Sequence, residues 1–279
     1  MIYLVKHLQC NAPQNQKRYF IMNDDIRPIG VFDSGVGGIS VLRELTSLMP
    51  NENFIYFGDS ANAPYGTKTL DKVRELTLAT GDFLIRKNCK CLVVACNTAT
   101  AAGVRPLRAL YPEVPVIGIE PALKPAVTGH PGGTVLVLAT PVTLREEKFH
   151  RLLDRYKEQA SVFTLGCPGI VEYVEQGITK GPRLMSYLNE LLNDYTQNPP
   201  DGVVLGCTHY PFVRSAISEV LGGHSDIYDG GAGTARETLH QLTIRGICAP
   251  SDANGTVTLL NSNPALISLE KKLLNHMEE

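Results

Sequence analysis

Two cysteines close apolar runs in the same way. "VVACNTAT", Val93 to Thr100, ends on Cys96, Asn97 and Thr98, and "VVLGCTHYP", Val203 to Pro211, ends on Cys207, Thr208 and His209. A thiol where a buried strand meets a helix N-terminus faces unpaired backbone N–H groups, which should favour the thiolate and lower its pKa. Asn97, Thr98, Thr208 and His209 add hydrogen-bonding groups able to hold a small zwitterion. Either cysteine alone reads most simply as a small buried apolar residue; two in matching contexts point to chemistry. One nucleophilic cysteine with a histidine would suggest acyl transfer through a thioester. Two on similar strands suggest a pair of acid/base groups with substrate between them, as racemisation or epimerisation requires.

Two glycine-containing stretches accompany them. "DSGVGG", Asp33 to Gly38, permits a tight strand-to-helix turn whose following helix offers N–H groups to an anion. It is neither a G-x-G-x-x-G fingerprint nor a P-loop, which argues against a nucleotide site, and an Asp-Ser turn that caps the helix explains it equally well. "NAPYGTK", Asn62 to Lys68, can form a stiff wall presenting a phenol and backbone amides, although an ordinary surface turn has the same composition.

Positioning these groups requires a particular kind of scaffold. Eight short apolar runs, "PIGVFDSG", "NFIYFGDS", "CLVVACNT", "PVIGIEP", "TVLVLAT", "SVFTLGCP", "GVVLGCTH" and "SDIYDGG", each close on glycine, proline or a small polar residue. Between most of them lie segments of helical spacing, such as "GGISVLRELTSLM" with Leu42, Leu45 and Leu48, and "LDKVRELTLATGDFLIRKN". The alternation predicts an α/β fold with parallel sheets flanked by helices. Ligands then bind at the carboxyl ends of the strands, where Asp33, Asp59, Cys96, Thr140, Cys167 and Cys207 all fall. The expected division is an N-terminal extension over 1–27, a first domain over 28–122 and 231–279, and a second over 123–230.

Composition sets the outer limits. The 279 residues include 43% hydrophobic and 19% charged residues, and the formal net charge of -2 gives no general attraction to nucleic acid or anionic lipid. Seven irregularly spaced cysteines in a chain of this size favour free thiols in a reducing compartment, the cytoplasm by default. No zinc-finger spacing is present, so no structural metal is expected. The start lacks the features of a secretory signal, no window has the length of a membrane span, and Met22 is an alternative initiation site.

Taken together, "DSGVGG", "PYG", "ACNTAT", "LAT" and "LGCTHYP" closely resemble, in order and spacing, the cofactor-independent glutamate racemases, from about Ile29 to about Leu239. Related aspartate racemases commonly have glutamate where this chain has His209, so "CTHYP" favours glutamate as substrate. The resemblance implies two pseudo-symmetric α/β domains enclosing glutamate in the cleft between them, without pyridoxal phosphate, metal or nicotinamide, and a product used in peptidoglycan synthesis. It carries the paired bases onto Cys96 and Cys207, with Asp33 assisting Cys96 and His209 assisting Cys207. Substrate contacts fall on Asp33, Ser34, Tyr65, Gly66, Asn97, Thr98, Thr140, Thr208 and His209. Glu175 would help orient the histidine, with a solvated helix glutamate as the competing explanation. The extension before Ile26 is similar to that of longer proteobacterial members, which can require UDP-N-acetylmuramoyl-alanine. The resemblance admits this activator and a homodimer, although an extension is not a binding motif. Two other classes stay open on the residues alone: a cysteine hydrolase or amidase, and a non-catalytic amino-acid binding protein.

Overall fold

The computed structural model describes residues 24–145 and 147–275. The expected extension over 1–27 lies outside them apart from Asp24–Arg27, as does the alternative start at Met22. All eight apolar runs form strands: β1 (Ile29–Asp33), β2 (Phe54–Gly58), β3 (Cys91–Val94), β4 (Val116–Gly118), β5 (Thr134–Ala139), β6 (Ser161–Gly166), β7 (Gly202–Leu205) and β8 (Asp226–Asp229). The inner strands β1, β3 and β7 are buried at every position, as expected where helices cover both faces of a parallel sheet.

A ninth strand, β9 (Val257–Asn261), was not anticipated. Its first two residues are exposed and only the last is buried, so it carries no buried apolar run. It pairs with β2 at the edge of the first sheet.

The strands form two sheets, ordered β4-β3-β1-β2-β9 and β6-β5-β7-β8, and every pairing is parallel. Read from its other edge, the second sheet is β8-β7-β5-β6, which repeats β4-β3-β1-β2 in chain order. The two cysteine strands, β3 and β7, therefore occupy equivalent places, and the two halves are pseudo-symmetric.

Helices link the strands of the first sheet: α1 (Ile39–Leu48) follows β1, α2 (Leu70–Arg86) follows β2, and α3 (Asn97–Leu110) follows β3. In α1, Leu42 and Leu45 enter the core, whereas Leu48 is exposed because the helix ends on it. The helix Gly231–Arg245 packs on α1 and β4, and the helix Ile267–Asn275 packs on α1 and β9, so the end of the chain returns to the first sheet. One buried apolar cluster includes residues of both sheets, among them Val31, Val93, Leu136 and Val203. No helix among the described residues is long and apolar enough to cross a membrane.

Candidate active site

The strand registers bring the expected residues level. Phe32 faces Val94 across β1 and β3, so Ser34 and Cys96, each two residues further on, leave the first sheet side by side. Leu138 faces Leu205 across β5 and β7, which does the same for Thr140 and Cys207. Each sheet thus delivers a hydroxyl and a thiol together at its carboxyl edge.

Cys96 caps α3, its Sγ accepting the Ala99 N–H at 3.4 Å. Its thiol donates to Ser34 Oγ at 3.7 Å, and Ser34 Oγ donates to Asp33 Oδ1 at 3.4 Å. Asp33 is fully buried and also accepts from the Gly35 N–H at 3.0 Å and from the Thr208 hydroxyl at 2.9 Å, the second of these linking the two halves. The expected lowering of the Cys96 pKa does not occur. Burial, with the Asp33 charge, pushes the thiol up to about 12, and the Ala99 and Ser34 hydrogen bonds offset only part of this. Desolvation of a thiolate at an enclosed strand end outweighs one helix N–H. Burial likewise raises Asp33, against the charge of His209 and the hydrogen bonds from Thr208 and Gly35.

Cys207 has a different neighbour. Its Sγ lies 3.7 Å from His209 Nδ1, and His209 Nε2 lies 2.7 Å from Glu175 Oε1. Burial alone would lower the imidazole, but its hydrogen bonds to Cys207 and Glu175, with the negative charge of both, raise it well above its usual value. Both ring nitrogens thus face an acceptor, Nδ1 the sulfur and Nε2 the carboxylate, which favours the protonated ring.

Glu175 ends the helix Ile170–Glu175, and its Oε1 also accepts the Val36 N–H at 2.8 Å, so it is anchored against the loop after β1 instead of standing in solvent. Two glycines make room for this contact. A Cβ on Gly35 would overlap Glu175 Oε1, and one on Gly37 would overlap the His209 ring. Neither glycine has a positive φ. Gly35 and Gly37 thus serve close approach by the second half of the molecule, Gly38 packs on Asp33 and Tyr56 of the first half, and no left-handed turn is involved.

A cavity of ≈ 210 Å³ opens where the two sheet edges meet, with both Cys96 and Cys207 in its wall. Every expected substrate contact except Asp33 lines it; Asp33 and Glu175 stand behind the wall. Tyr65 contributes its ring, while its phenol donates to Asp59 Oδ2 at 2.7 Å and is not offered to a ligand. Gly66 packs on Thr140 of the other half, where a Cβ would lie 3.3 Å from Thr140 Cβ. Asn97 Oδ1 is buried without a hydrogen-bond partner among the described residues, leaving an acceptor for a ligand N–H. Thr143, Arg145 and Glu172 also line the cavity, and no motif singled them out. The available signal was position: "TPVTLR" directly follows a strand end. Among the described residues no group of three or more His, Cys, Asp or Glu side chains is placed to hold a metal ion.

Two thiols thus line one cavity, each backed by its own hydrogen-bond chain. A family model described as Asp/Glu/Hydantoin racemase matches residues 29–238. The chain belongs to that family. Among its relatives, the glutamate racemase of Clostridium novyi (strain NT) is 50% identical over 250 residues, covering 88% of this chain and 96% of the relative. Among solved structures, the glutamate racemase of Francisella tularensis in complex with D-glutamate superposes with a TM-score of 0.78 at 28% identity, covering 91% of this chain and 96% of that one. The Escherichia coli glutamate racemase, in complex with L-glutamate and the activator UDP-MurNAc-ala, gives a TM-score of 0.77 at 32% identity, covering 88% and 95%.

Proposed function

We propose that the protein is a glutamate racemase that moves a proton on and off Cα with two cysteines. The observation that carries this reading is that Cys96 and Cys207 line the same cavity from equivalent strands of two pseudo-symmetric halves. The high identity to named glutamate racemases supports glutamate as the substrate.

The two thiols differ in their neighbours. Cys96, pushed up to about 12, holds its proton at neutral pH. Cys207 lies against Nδ1 of His209, whose imidazole is raised well above its usual value and can set a donor against the sulfur. In one direction Cys207 takes the proton from L-glutamate and Cys96 supplies one to the opposite face. The reverse reaction requires Cys96 to lose its proton. Ser34 and Asp33 form the path for it, because burial makes the Asp33 carboxyl a better proton acceptor than an exposed aspartate. The first-turn amides of α3 and the hydroxyls of Thr98 and Thr140 supply donors for the substrate carboxylates, while the Ser34 and Thr208 hydroxyls are committed to Asp33.

Several further features belong to this reading. A first domain over 28–122 with 231–279 and a second over 123–230, a cytoplasmic location, and D-glutamate used in peptidoglycan synthesis are part of the proposal. The Escherichia coli complex, with the resemblance of the extension, supports an activator: a rise in turnover on adding UDP-N-acetylmuramoyl-alanine would support it, and an unchanged rate would remove it. The test of the function is direct. Purified protein should convert D-glutamate to L-glutamate, followed by circular dichroism, with nothing else added; strict dependence on pyridoxal phosphate would refute the reading.

A further inference from the structure

Beneath the loop that carries Asp33 and Ser34 lies a carboxyl group with no part in the chemistry above. Glu270, on the helix Ile267–Asn275, has no exposed surface. Its Oε1 accepts an N–H of Asn261 Nδ2 at 2.7 Å, while its Oε2 is buried with no hydrogen-bond partner among the described residues. An ionised carboxylate here would be an unpaired buried charge, a state proteins avoid by keeping the proton on.

The group packs against two strand ends of the site. A Cβ on Gly58, the last residue of β2, would lie 2.6 Å from Glu270 Oε1, 2.6 Å from Asn261 Nδ2 and 2.9 Å from the Gly35 carbonyl oxygen. That carbonyl accepts the Tyr56 hydroxyl at 2.6 Å, and the next residue, Val36, donates to Glu175. Asn261 Nδ2 also donates to Ser60 Oγ at 3.0 Å. Ser60 follows Asp59, the acceptor of the Tyr65 hydroxyl, so Asn261 connects Glu270 to the cavity wall.

Among the described residues no counter-charge is seen to act on Glu270, and α1, which packs on its helix, carries both Arg43 and Glu44. Glu175, from the helix Ile170–Glu175, acts on it with a like charge, and the buried phenol of Tyr56, from β2, is itself raised by burial and by the charges of Asp33, Glu270 and Glu175. Lys271 and Lys272, on its own helix, are exposed. Burial pushes the Glu270 carboxyl up to about 7, the Asn261 hydrogen bond opposing and the Glu175 charge adding.

We propose that Glu270 is a positioning residue for the racemase reaction. Holding its proton, it lets β9 and the C-terminal helix sit uncharged beneath the Asp33–Val36 loop and so keeps Glu175 aligned on His209; losing it, it pushes against Glu175 and turnover falls. The inference rests on the racemase reading of the site.

Profiles of kcat and KM against pH for the parent, Glu270→Gln and Glu270→Met test it. In both variants the alkaline decline of kcat should move upward, so that at about pH 8.5 the variant-to-parent ratio of kcat is several-fold higher than at about pH 6, with KM little affected. A superimposable alkaline limb in parent and variants would overturn the proposal. Carbon-13 NMR of glutamate-labelled protein supplies a readout independent of activity: a carboxyl titrating near neutrality should appear in the parent and vanish in Glu270→Gln. Its absence from the parent would also overturn the proposal. Its presence in a protein that does not racemise glutamate would sink the racemase reading, and with it any role for Glu270 in turnover, and the two failures are thereby told apart.

Discussion

Cys96 and Cys207 occupy equivalent strand ends but have unlike partners, Ser34 and Asp33 for one, His209 and Glu175 for the other. If each thiol serves one face of Cα, removing one must affect the two enantiomers unequally. Serine keeps the approximate size but is a far weaker base, so Cys96→Ser and Cys207→Ser should each lower racemisation by about 100-fold or more. Elimination from a substrate analogue with a leaving group at Cβ needs abstraction on one face only. Cys96→Ser should retain elimination from the L-analogue and lose it from the D-analogue, and Cys207→Ser should show the reverse. Equal treatment of both enantiomers by both variants would contradict the assignment of faces. At this scale the reactive types were legible in the sequence, because "ACNTAT" and "LGCTHYP" state them outright. Their electrostatics were not: the helix N-terminus suggested a lowered Cys96 pKa, and the degree of enclosure that reverses it exists only in the folded chain.

The elements were legible as short apolar runs. All eight became strands: inner β1, β3 and β7 are buried throughout, as a parallel sheet covered on both faces requires, while edge strands β6 and β8 have no buried residue and were marked by their apolar composition alone; edge strand β9 was not marked out in the sequence. The role of the glycines in "DSGVGG" was hidden for a related reason. The constraint on Gly35 and Gly37 is a contact with Glu175 and His209, well over a hundred residues away in sequence, and no local pattern records it. Gly37→Ala tests that constraint. The added methyl must displace the His209 ring, so kcat should fall by an order of magnitude or more, while stability changes by only about 1–3 kcal/mol, the usual range for overpacking. Unchanged kcat in a folded Gly37→Ala protein would show that the imidazole has more freedom than its packing indicates.

Across the whole molecule, the halves are joined by a continuous apolar cluster and by polar contacts at the site, Thr208 to Asp33, Val36 to Glu175 and Ser40 to the Thr208 carbonyl. The pseudo-symmetry was expected from the family resemblance, with the repeated cysteine strands as its only local trace, whereas the strand order was not expected; the return of the C-terminal helix to the Asp33 loop could be anticipated only in outline. That return has a consequence for global stability. Glu270 ionises near its ordinary 4.5 when unfolded and at about 7 when folded. Between these values the folded chain holds a proton that the unfolded chain has released, so this component of stability is complete below the lower value and is lost as pH rises through the upper one. Glu270→Gln removes the component. Its melting temperature relative to the parent should therefore rise between about pH 5 and 8, each 1 kcal/mol corresponding to roughly 2–4 °C in a chain near this size. A constant difference across that range would contradict a raised carboxyl.

The two-cysteine transfer itself is tested most directly by solvent labelling. D-Glutamate is incubated with the protein in heavy water, and product and remaining substrate are analysed by mass spectrometry and proton NMR while conversion is still low. If one thiol removes the proton and the other returns one from its own exchanged S–D group, the L-glutamate carries deuterium at Cα while the remaining D-glutamate stays unlabelled, and the same holds starting from L-glutamate. Deuterium entering the remaining substrate as fast as the product, or L-glutamate forming with its original proton retained, would mean that a single base serves both faces.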